Sequence, residues 1–113
     1  MSFYLAIKTQ LKNKAHVIAA LMEMRKRGEL LSCKINDKKE TIEVDRDGDK
    51  IKLSLEKEGN FEVSGDARVV RVFSNRLKQM YALESIKENL PLDFEIDTET
   101  ETATGEIKLL IKG

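Results

Sequence analysis

The chain is poor in the residues that usually advertise chemistry. Among 113 residues it has no tryptophan, one cysteine, one histidine and one proline. One cysteine forms no internal disulfide, which points to a reducing, cytoplasmic compartment. One histidine leaves no pair for a His-based metal site. The six glycines stand singly, so no glycine-rich loop is available to cradle a phosphate. With no Trp and two Tyr, stacking platforms for single-stranded nucleic acid are poorly supplied. No apolar run reaches membrane-spanning length, and the opening MSFYLAIKTQLK meets charge too early for a signal peptide. Neither a cofactor nor a metal is expected.

Charge and apolar residues are plentiful. Hydrophobic residues are 41% and charged residues 35%, the composition of one globular domain over residues 1–113. Twenty Lys and Arg balance twenty Asp and Glu, so the chain lacks the excess of a general nucleic-acid binder. The distribution is uneven. Residues 1–39 hold nine bases and three acids, and Asp93 to Glu106 holds six acids and no base. Two solvated faces account for this, and contact between copies or with a partner is the alternative.

Periodicity divides the chain into short elements. FYLAIKT alternates, with Phe3, Leu5 and Ile7 on one face of a strand. Asn13 suits a helix N-cap and Gly28 its left-handed end. Between them Val17, Leu21 and Met24, with Ile18 and Ala20, form an apolar stripe. Segments 30–35, 40–45, 50–56 and 60–64 then alternate, separated by gaps rich in Asn, Asp and Gly. Their expected inward residues are Leu31, Cys33 and Ile35; Ile42 and Val44; Ile51, Leu53 and Leu55; Phe61 and Val63. Asp66 can cap a second helix reaching about Leu90, although its β-branched opening RVVRVF also suits a strand. Pro91 stops that helix. A last hairpin follows, joined near Ala103–Gly105.

The stretch VDRDGDKI raises the question of a calcium loop. Counted from Asp45, Asp47, Asp49 and Glu56 match ligand positions 3, 5 and 12 of an EF-hand. Position 6, which needs glycine, is Lys50, and both flanks alternate like strands. Asp47-Gly48 between alternating runs is instead a hairpin signal. His16 sits in the first turn of the first helix, where packing explains it better than catalysis. Cys33 lies on an inward strand face and reads as a small apolar residue.

Three segments, IKTQLK (7–12), RLKQMYALESIKE (76–88) and GEIKLLIK (105–112), resemble an uncharacterised family of small cyanobacterial and plastid-encoded proteins. The likeness covers about a quarter of the chain and implies an α+β fold without an activity to transfer. The middle meander departs from that family's Trp and Gly pattern.

The expected fold is α+β, an antiparallel sheet of six or seven strands with two helices on one face. A ferredoxin-like plan with extra strands would accommodate that order. The expected function is a non-enzymatic binding or adaptor module, with a protein partner or self-association. A small enzyme or ligand-binding protein with a polar cleft is the alternative, and RNA binding through the basic N-terminal third the next. Lys8, Gln10, Arg76, Gln79 and Tyr81 are polar without an evident folding role, and form the candidate interaction patch.

Overall fold

Residues 3–91, 94–103 and 107–112 are described in a computed structural model. The elements run β1 (Tyr4–Lys8), α1 (Lys14–Lys26), β2 (Ser32–Asn36), β3 (Thr41–Arg46), β4 (Asp49–Leu55), β5 (Phe61–Asp66), α2 (Ala67–Asn89), β6 (Glu95–Glu101) and β7 (Ile107–Lys112). The fold is α+β, as expected. Its strands, however, form two sheets: a five-stranded antiparallel sheet in the order β1-β5-β4-β3-β2, and a separate pair β6-β7. The ferredoxin-like order β-α-β-β-α-β is not this one. Four strands follow α1 before α2 begins, and the strands after α2 pair only with each other.

Local chemistry fixes the element ends. The Asn13 side chain accepts from the His16 N–H and starts α1. The Gly28 N–H donates to the Arg25 carbonyl and the Glu29 N–H to that of Met24, the paired bonds of a Schellman ending. Asp66 accepts from the Arg68 N–H and starts α2. RVVRVF is helix rather than strand: the cap satisfies one first-turn donor, the Phe3 carbonyl takes the Ala67 N–H, and Val70 and Phe73 reach the core. Asp47 and Gly48 have φ of 49° and 94°, the left-handed pair of a two-residue hairpin turn between β3 and β4. The turn reading of VDRDGDKI therefore holds.

The core lies between one sheet face and the helices. Val17, Ala20, Leu21 and Met24 of α1 and Val70, Phe73, Leu77, Met80 and Leu83 of α2 are buried. They meet Ile42, Val44, Ile51, Leu53, Phe61 and Val63. Gly65 permits a close approach. A Cβ there would lie 2.9 Å from the Lys50 carbonyl oxygen and 3.2 Å from Val70 Cγ2, and its φ is +154°.

The inward list needs one correction, at β2. Leu31 is 60% exposed and Leu30 is buried. The Leu31 N–H donates to the Asp45 carbonyl, while Ser32 is the residue paired with Asp45. Two residues thus oppose one, a bulge that resets the alternation. Ile35 keeps its expected face opposite Ile42, but β2 is an edge strand and Ile35 is 39% exposed.

The hairpin β6-β7 lies on the helix layer. Ile107 and Leu109 pack against the core, Glu99 pairs with Arg27, and Glu101 pairs with Arg76 at 2.6 Å. Its expected joint at Ala103–Gly105 falls partly outside the described residues. Among the described residues no helix is long and apolar enough to cross a membrane.

Candidate functional site

Because both helices cover one face of the five-stranded sheet, its other face is left to solvent. Strand alternation decides what stands there. Lys34 pairs with Glu43, Glu43 with Lys52, Lys52 with Ser64, and Ser64 with Ala6, one row across all five strands. In the next row Ser32 pairs with Asp45 and Asp45 with Lys50. These rows floor a trough of about 440 Å³, with Tyr4 at one side. Opposite charges on neighbouring strands support one another. The Asp45 carboxylate is held by Lys50 Nζ and by the Gly48 N–H, each at 2.8 Å. Lys50 first, and then the Gly48 N–H, lower its pKa below the usual carboxylate range. That carboxylate serves the hairpin turn.

The five residues of the predicted patch do not share a surface. Lys8 stands on the open face, opposite Glu62, and Gln10 is exposed just after β1. Arg76 belongs to α2, beyond the covered face. Its guanidinium holds both Glu29 carboxylate oxygens, at 2.8 and 2.9 Å, and also reaches Glu101. It bonds Gln79 Oε1 at 2.7 Å. The bond to Glu29 is the main reason its pKa is raised. Tyr81 accepts from the Asn13 N–H through its hydroxyl and meets the His16 ring edge-on at 5.5 Å. So Arg76 and Tyr81 are intramolecular ties, one from α2 to Glu29 and the hairpin and one from the body of α2 to the start of α1. The sheet stands between Lys8 and Arg76.

Beside Arg76 a groove of about 400 Å³ runs between α2 and β7, lined by Gln79, Ala82, Leu83, Ile86, Ile107, Leu109 and Ile111. It is the seam along which the hairpin lies on α2. Residues 79–86 of α2 and 107–111 of β7 flank it.

The remaining reactive groups are dispersed. His16 on α1 is bonded through Nε2 to Glu88. Cys33 on β2 is half-buried, and burial pushes its thiol pKa up, away from a reactive thiolate. Among the described residues no group of three or more His, Cys, Asp and Glu could hold a metal ion. The open-face residues carried a signal in the sequence, as the polar partners of each alternating pair. What periodicity lacked was which sheet face the helices would leave uncovered, and how the rows align.

Comparison with family models, with curated proteins and with solved structures found no match.

Proposed function

We propose that the chain is a cytoplasmic, non-enzymatic binding module that presents the open face of its five-stranded sheet to a protein partner. One observation carries this reading: both helices and the hairpin lie on one side, and the opposite face offers a trough of aligned polar side chains. Its charges alternate in sign from strand to strand. A partner surface of mixed charge complements such a pattern better than a polyanion does.

The basic N-terminal third supports the same preference over RNA. Lys14 pairs with Asp37, and Arg27 with Glu23 and Glu99, so part of that charge is neutralised within the chain. The test is recovery of partners from an extract of the source cells. Wild type is compared with Lys34→Glu/Lys52→Glu on the open face and with Arg71→Glu/Lys78→Glu on α2, all at matched thermal stability. Loss of a discrete protein with the first variant alone is expected. Equal recovery with all three chains, or a salt-sensitive RNA as the recovered species, overturns the reading.

A further inference from the structure

The two edges of the five-stranded sheet are built differently. An edge strand offers unpaired N–H and C=O groups, and proteins blunt such edges with charge, bulges or proline. The β2 edge has two of these devices, the bulge at Leu31–Ser32 and Lys34 at its centre. The β1 edge has no bulge, and its one charge, Lys8, stands at its end rather than its centre. Its run Phe3–Ile7 carries no charge, no proline and no register break. Phe3 and Tyr4 are 72% and 75% exposed, and Leu5 and Ile7 are only half-buried.

The free groups of β1 follow from its ladder. The Ala67 N–H donates to the Phe3 carbonyl at 2.7 Å, and the Thr9 N–H donates to the Phe61 carbonyl at 3.0 Å. Hydrogen-bonding direction alternates along an antiparallel strand. Residues 3, 5, 7 and 9 therefore turn their backbone groups to β5, and Tyr4, Ala6 and Lys8 turn theirs to the open edge.

We infer that β1 pairs antiparallel with β1 of a second copy, on a two-fold axis through Ala6. In that register Ala6 meets Ala6, and Tyr4 meets Lys8 of the other chain. Each pair exchanges both hydrogen bonds. The alternate positions match as well, since Leu5 meets Ile7 on the helix-covered face. The small Ala6 side chain allows the close approach at the axis, and the Tyr4 ring receives the Lys8 ammonium. No like charges stand opposite each other, whereas β2 paired about its centre would set Lys34 against Lys34. The contact is isologous and closed. It joins two five-stranded sheets into one, with both helix layers on the same side, and it continues the open face across the axis.

Sedimentation of the full chain tests this at rising concentration. Wild type is expected at twice the monomer mass of 12.9 kDa. Ala6→Lys, at an exposed position, sets two lysines together at the axis and is expected at the monomer mass with an unchanged circular dichroism spectrum. Lys34→Ala at the other edge should leave the dimer intact. The register has its own readout in a Cys33→Ser background. Opposed Cα atoms in a hydrogen-bonded pair lie about 5.5 Å apart, within disulfide range. Ala6→Cys should therefore cross-link under mild oxidation, and Lys8→Cys should not. A wild-type chain that stays monomeric at millimolar concentration overturns the proposal. So does a dimer that survives Ala6→Lys, or one that cross-links through position 8 and not 6.

Discussion

Replacing Gly65 by alanine tests the joint between the sheet and α2. The added Cβ would stand 2.9 Å from the Lys50 carbonyl oxygen and 3.2 Å from Val70 Cγ2. Neither neighbour yields easily. Lys50 leads into the Ile51–Gly65 pairing of β4 with β5, and a valine in a helix is held to one rotamer. Forcing atoms into a packed site costs about 1–3 kcal/mol. The φ of +154° adds strain on the order of 1 kcal/mol. The sum, about 3 kcal/mol, should lower the melting temperature by roughly 12 °C, at about 4 °C per kcal/mol for a domain of this size. Gly59→Ala is the control. Its φ is +89°, but nothing lies within 4 Å of the added Cβ. Only the strain applies there, about 1 kcal/mol and roughly 4 °C. Thermal and urea unfolding of both variants measure the difference. Equal losses, or a smaller loss at Gly65, would refute the close approach of α2 and of the Lys50 carbonyl to Gly65.

Other outcomes follow from the same geometry. Leu53→Ala should cost about 2–5 kcal/mol in urea titration, since Leu53 is fully buried, and Lys52→Ala should stay within about 0.5 kcal/mol; the reverse order would put the β4 register off by one. Arg76→Ala should loosen the hairpin and the Glu29 tie while sparing the sheet. Because Glu101 is 41% exposed, its tie to Arg76 contributes only about 1 kcal/mol, so β7 amides should exchange roughly fivefold faster while β3–β5 amides keep their protection. Uniform acceleration would mean that Arg76 supports the whole fold. Arg27 lowers the pKa of Glu23, Lys50 that of Asp45 and Arg68 that of Asp66. Each carboxylate binds its proton more readily in the unfolded chain, so their contribution is full above about pH 4.5 and is lost as pH falls through the folded values. Urea midpoints that rise between pH 5 and pH 3 would contradict these assignments.

Legibility in the sequence tracked the range of the interaction. Asn13, Asp66 and the Asp47-Gly48 turn act within a few residues, and each was readable from its neighbours. The inward faces of β3, β4 and β5 were readable too, because period-two alternation reports burial directly. The bulge at Leu31–Ser32 was not, since two adjacent leucines give alternation no preference for either. The closing hairpin was legible, but its separation from the main sheet was not. Its acids, Glu99 and Glu101, are matched to Arg27 and Arg76, more than twenty residues away in sequence and brought near only by packing. The predicted patch failed for the same reason. Polarity without a local role marked Arg76 and Tyr81, but their roles are long-range: Arg76 holds Glu29 and Glu101, and Tyr81 holds the Asn13 N–H.

The most direct test of the open-face proposal is site-specific photocrosslinking in the source cells. A photoreactive amino acid is placed at Lys34 or Lys52 on the open sheet face, and at Lys78 on α2 as the comparison. The account predicts one discrete protein adduct from positions 34 and 52 and none from position 78. The same adduct from position 78, with none from 34 or 52, would contradict it.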